Sequence, residues 1–118
     1  MAHRVYGMAF AKLYPLYVTK VGRKGRSREE LDQVLRWLTG YSEAGLVEAL
    51  ADGRDLAAFF AQAPALNPAR DQVTGVICGV RIEAITEPLM REIRILDKLV
   101  DELARGRPLS KILRGGAG

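Results

Sequence analysis

The chain has 118 residues, of which 48% are hydrophobic and 27% charged, with 18 Lys and Arg against 14 Asp and Glu. That length supports one hydrophobic core, and no run approaches the roughly 18 continuous apolar residues of a membrane span. One cysteine, Cys78, and one histidine, His3, exclude an intramolecular disulfide framework and a His/Cys zinc site, and they suit a reducing, cytoplasmic setting with no metal or cofactor.

The opening segment, "MAFAKLYPLYVTKVGRK", reads as an amphipathic helix. Phe10, Leu13, Tyr14, Tyr17 and Val21 share one stripe at 3.6-residue spacing, with Lys12, Thr19 and Arg23 opposite. Pro15 lacks an N–H and crowds the carbonyl four residues back, so the helix either starts just before it or kinks there. Aromatics beside cations can stack single-stranded bases, and residues 9–24 could lie on an anionic membrane. The spacing favours a core stripe whose tyrosine hydroxyls reach the rim. An organelle transit peptide and a secretory signal are both disfavoured. The segment is poor in serine, and Lys12 interrupts its apolar run.

Gly25 ends this helix at "KVGRKGRSREE", residues 20–30, where Lys20, Arg23, Lys24, Arg26 and Arg28 crowd together. Residues 1–28 hold seven cations and no acid, whereas residues 29–118 hold eleven cations and fourteen acids. These five side chains are the anion-binding candidates, because a basic patch is the expected footprint of a polyanion contact. The plainer reading is a solvated joint whose cations suit the negative end of the helix.

Ser27 and Glu30 form S-x-x-E, a capping box, ahead of a helix whose inner face is Leu31, Val34, Leu35 and Leu38, with Trp37 at its edge. Gly40 stops it, Ser42 caps a short helix to about Leu50, and Asp55 caps "LAAFFAQA", which Pro64 ends. Two helices joined through a Gly-containing turn suggest a helix-turn-helix. The would-be recognition helix, 43–51, carries Glu43 and Glu48 and none of the donors that reading DNA requires.

"PALNPAR", residues 64–70, is a rigid connector. "VTGVICGVRIEAI" fits a strand or a helix. A strand would need a partner, which only "RVYGM" could supply, so a buried helix or irregular segment is preferred, with Cys78 as a buried structural thiol. Pro88 then opens a long helix to Gly106, with Leu89, Ile93, Leu96, Leu99, Val100 and Leu103 as its stripe. Glu87–Arg91, Lys98–Glu102 and Asp101–Arg105 are spaced as i,i+4 ion pairs. A short helix "LSKIL" follows, and "RGGAG" should be disordered.

The stretches "HRVYGMAF", "YPLYV", "KGRS", "WLTGY", "PALNPAR", "GVICGVR" and "PLMREIR" with "LDKLVDELARG" span nearly all of residues 3–114. On them the chain resembles a family of small bacterial proteins catalogued as a domain of unknown function, DUF2200. The resemblance implies a bacterial, cytoplasmic, single-domain protein and supplies no activity, substrate or catalytic residue. The chain departs from the family pattern at "KVGRKGR", where an acid is expected near Gly22.

These readings combine into a mainly α single domain, residues 1–114, of about six helices with room for a minor two-stranded β element, and a disordered tail at 115–118. The opening and closing helices should meet inside one core. No catalytic constellation is visible. The expected function is a non-enzymatic interaction module with a basic joint facing an anion. Its candidate partners are a second copy of the chain or a nucleic acid. The alternative is a small enzyme or small-molecule binder built around Tyr41, Arg70 and Arg81, whose surroundings read as irregular and glycine-rich.

Overall fold

A computed structural model describes residues 3–115, so residues 116–118 of the expected tail lie outside the described residues. Among the described residues there are six α-helices: α1 (Phe10–Gly22), α2 (Arg28–Thr39), α3 (Glu43–Ala51), α4 (Leu56–Ala61), α5 (Pro88–Ala104) and α6 (Leu109–Ile112). A two-stranded antiparallel sheet, β1 (Val76–Ile77) and β2 (Val80–Arg81), precedes α5.

The helix starts follow local chemistry. Ser27 accepts from the Glu30 amide at 3.1 Å while Glu30 accepts from the Ser27 amide at 3.1 Å, which completes the capping box of α2. Ser42 and Asp55 cap α3 and α4 by one bond each, accepting from the Gly45 and Ala58 amides. Pro88 opens α5 at a position whose N–H would have no helical partner in any case. Helix α1 begins at Phe10, well before Pro15, and carries the proline inside it on an exposed side. That start is fixed from outside the helix. The Phe10 amide donates to the Arg54 carbonyl and the Leu56 amide to the Met8 carbonyl, both at 2.9 Å.

The stripe read from the sequence is the core. Phe10 is 0% exposed, Tyr14 5% and Tyr17 6%. Phe10 stacks on Phe59 with ring centroids 4.0 Å apart, and Phe59 stacks on Tyr41 at 4.9 Å. Phe10 also meets Tyr14 in a tilted pair at 5.8 Å, an arrangement that adds about 0.5–1.5 kcal/mol beyond area burial. On α5 the buried set is wider than the predicted stripe, because Met90, Ile95 and Ala104 are buried as well.

Three expectations are corrected. The segment after the connector folds back on itself, so the partner of β1 is β2 and not the N-terminal "RVYGM". Val76 faces Arg81 and Ile77 faces Val80, joined by Cys78 and Gly79 with φ of 52° and 75°. Two left-handed residues in a two-residue loop define the primed turn that matches strand twist. Cys78 is consequently exposed at a hairpin tip and not buried. Finally, of the three i,i+4 pairs on α5 only Asp101–Arg105 forms, at 2.8 Å. Glu87 accepts from the Tyr6 hydroxyl, Arg91 turns to Asp71, Lys98 donates to the Val76 carbonyl, and Glu102 is taken by Arg107 and Arg114. Partners across the fold displace partners along the helix. Arg114, the first residue of "RGGAG" and the last of the expected domain, lies at 2.5 and 2.7 Å from the two Glu102 oxygens.

Candidate functional site

Helices α1 and α5 lie side by side and run parallel. The register of their contacts fixes this direction: the Tyr17 hydroxyl donates to Asp97 at 2.5 Å, and one turn later Lys20 pairs with Asp101 at 3.3 Å. Their C-terminal ends therefore meet. Both ends close in the same way. The Arg26 amide reaches the Val21 carbonyl and the Gly25 amide the Gly22 carbonyl; the Arg107 amide reaches the Glu102 carbonyl and the Gly106 amide the Leu103 carbonyl. Gly25 and Gly106, with φ of 78° and 89°, supply the left-handed residue this paired-bond ending requires.

This placement divides the basic joint into three parts. Arg26 is built into the fold. Its Nε and Nη2 bind the two Glu30 oxygens at 3.0 and 2.8 Å, and its Nη1 donates to the Arg107 and Leu103 carbonyls at 2.8 and 3.3 Å. One guanidinium thus ties the start of α2 to carbonyls at and just past the end of α5, of which Leu103 also accepts from Gly106. The Arg26 hydrogen bonds and then the Ser27 amide hold the Glu30 carboxyl down at about 2. Arg28 turns the other way. Its guanidinium carbon sits 5.2 Å from the Tyr14 ring centroid, and its Nε donates to the Tyr14 hydroxyl at 2.8 Å. That hydroxyl donates in turn to Asp32 at 2.5 Å. Burial and the Asp32 hydrogen bond raise the Tyr14 pKa, and burial with the Asp97 charge raises that of Tyr17 well above the ordinary value.

Lys20, Arg23 and Lys24 remain. Together with Arg105 and Asp101 they rim a groove of about 670 Å³ whose apolar wall includes Leu16 and Ala104. Lys20 and Arg105 share Asp101, whereas Arg23 and Lys24 make no ion pair among the described residues. Leu16 is 59% exposed. The groove contains four cations and one carboxylate, a side-chain charge of +3. The two helix ends contribute about −0.5 each. Roughly +2 therefore survives the dipoles, so the cations exceed what is needed to satisfy the helix ends.

Tyr41, Arg70 and Arg81 are not brought together. The Tyr41 hydroxyl donates to the Phe59 carbonyl at 2.6 Å and accepts from Arg54 at 3.2 Å. The Arg70 Nε lies 2.9 Å from both Glu92 oxygens, and its Nη1 donates to the Asn67 carbonyl at 2.9 Å. Arg81 is exposed and pairs loosely with Glu83 at 3.6 Å. Among the described residues, no buried side-chain nitrogen or oxygen lacks a hydrogen-bond partner, and no group of three or more His, Cys, Asp or Glu is placed to hold a metal ion. No helix among them is long and apolar enough to cross a membrane.

Sequence reasoning missed Leu16, Asp101, Ala104 and Arg105 as groove residues. Leu16 was detectable, as an apolar residue off the buried stripe of α1. The other three become groove residues only through the parallel packing of α1 on α5.

A family model described as an uncharacterized protein conserved in bacteria (DUF2200) matches residues 4–114. The chain is also similar to a solved structure, the uncharacterized protein SP1917, with 45% identity and a TM-score of 0.91, over 100% of this chain and 97% of that one. No curated protein matches it.

Proposed function

The chain belongs to the DUF2200 family of uncharacterized bacterial proteins, and for it we propose a non-enzymatic interaction module that docks an anionic surface in the groove at the paired ends of α1 and α5. The observation that carries this reading is the surplus of cations around an exposed apolar residue, Leu16. Arg23 and Lys24 supply charge that no internal partner consumes. Leu16, beside the nearly buried Ala104, supplies an exposed apolar side chain that rewards contact with apolar atoms. A second support is that the Tyr41 and Arg70 polar groups are engaged with other parts of the fold. Among the described residues, no orphaned buried polar atom awaits a substrate.

Short single- and double-stranded DNA serve as polyanion probes of the groove. Binding at low ionic strength should weaken linearly in log–log form as salt rises. Arg23→Glu with Lys24→Glu should abolish most of it and flatten the salt slope by about two units, one for each lost cation. Arg26→Gln, whose side chain faces inward, should leave the slope unchanged. Absence of any binding at low salt, or a slope indifferent to Arg23 and Lys24, would remove the anion-docking reading.

A further inference from the structure

The molecule carries a second exposed strip whose charge is opposite to that of the groove. Residues 43–52 contain Glu43, Glu48 and Asp52 and no cation. On α3, Leu46 and Ala49 turn inward, while Ala44, Val47 and Ala51 form an outward apolar line at i, i+3 and i+7. Val47 is 65% exposed. The Glu43 and Glu48 side chains are 85% and 75% exposed, and their nearest cations, Arg36 and Arg54, stand 3.5 and 4.0 Å away. Surface pairs of that length hold a carboxylate weakly, so both acids are available to a partner.

Val47 and Leu16 are the two most exposed large hydrophobic residues among those described. One lies on a helix face flanked only by acids on its own helix; the other lies in a groove rimmed by cations. An amphipathic helix laid in an apolar groove is a recurrent recognition mode, read through i, i+3, i+7 anchors. Opposite charges flanking those anchors would set its register.

We propose that the occupant of the groove is α3 of a second copy of the chain. This rests on the reading of the groove as an anion-docking surface. Val47 of one molecule seats against Leu16 and Ala104 of the next, and Glu43 and Glu48 approach Arg23 and Lys24. The two faces differ, so the contact is heterologous. It leaves a free groove at one end of a pair and a free α3 at the other, and it propagates into a ring or an open chain. Each contact is small and polar-rimmed, which places it in the weak, transient class.

Sedimentation velocity on the full chain at low ionic strength tests this. Wild type should sediment faster with concentration above about 0.1 mM, and added salt should reverse the effect. Glu43→Lys with Glu48→Lys, and separately Arg23→Glu with Lys24→Glu, should each weaken self-association by about tenfold or more. Mixed in equal amounts, the two variants should reassociate, because each retains the face the other lacks. Circular dichroism of each variant checks that the fold is intact. A wild type that stays monomeric to about 1 mM overturns the proposal, as does self-association indifferent to the α3 changes, or variants that fail to rescue each other. If DNA still binds through Arg23 and Lys24 in that case, the groove reading stands and only the occupant is wrong. If DNA binding also fails, both fall.

Discussion

Arg26 and the Arg23–Lys24 pair lie within four positions of each other in the chain, yet they do different work. Arg26 faces two carbonyls and a carboxylate and is consumed by the fold. Arg23 and Lys24, one turn earlier, line the groove and make no ion pair among the described residues. A run of cations is therefore not one feature. Its members separate according to which backbone carbonyls and carboxylates the packing of α1, α2 and α5 presents to each. The acid-free N-terminal stretch shows the same thing on a larger scale. Of the seven cations in residues 1–28, Lys20 and Arg26 pair with acids from residues 29–118, while Tyr6, Tyr14 and Tyr17 bind further acids there as neutral donors.

The largest expected effect is on the consumed side. Arg26→Ala unpairs Glu30 and removes the donor from the Arg107 carbonyl, while Leu103 keeps its bond from Gly106, and should cost about 2–3 kcal/mol in a urea titration. A loss below about 0.5 kcal/mol, typical of a neutral surface change, would erase the distinction between the two sides. Next comes Tyr17→Phe, which removes the hydroxyl bound to Asp97 and should cost about 1–2 kcal/mol by the same measurement. A larger loss than for Arg26→Ala would move the clasp of α1 on α5 away from the helix ends.

A smaller effect appears with pH. The Glu30 carboxyl is depressed from 4.5 to about 2. A depressed folded-state value means that the stabilisation is complete above the unfolded value and is lost as pH falls from about 5 towards 2. Glu30→Gln should therefore remove about 1 kcal/mol at neutral pH, after screening of a partly exposed pair, and flatten the acid limb of the stability curve. An unchanged acid limb would show that Arg26 acts through the carbonyls alone. Smallest of all is Arg23→Ala with Lys24→Ala. Its stability should stay within about 0.5 kcal/mol of wild type while affinity for a polyanion falls.

The parts of the fold that were legible in the sequence are those set by neighbours in the chain. Ser27 with Glu30, Ser42, Asp55 and Gly106 fix helix ends through bonds a few residues long, and Pro88 opens α5 through its own ring geometry. The periodic stripe of α1 was legible because burying Phe10, Tyr14 and Tyr17 leaves little choice of face. The hairpin was missed because Cys78 stands where a primed turn is expected to carry Asn, Asp or Gly. The ion pairs of α5 were misassigned because spacing along a helix says nothing of Arg91 meeting Asp71 or Glu102 meeting Arg114. The groove was half visible. Its cations and the off-stripe Leu16 are on one short segment, but Asp101, Ala104 and Arg105 join it only once two distant helices are known to run the same way.

The parallel pairing of α1 with α5 also has a consequence for synthesis. Tyr17 and Asp97 are 80 positions apart, and at about 5–20 residues per second the ribosome needs roughly 4–16 s to deliver the second after the first. For that interval the aromatic flank of α1 is made but cannot yet be covered by α5. Phe10 and Tyr14 can already meet Phe59 and Asp32 in that interval, so the side of α1 around Tyr17 is the part that waits for the last helix.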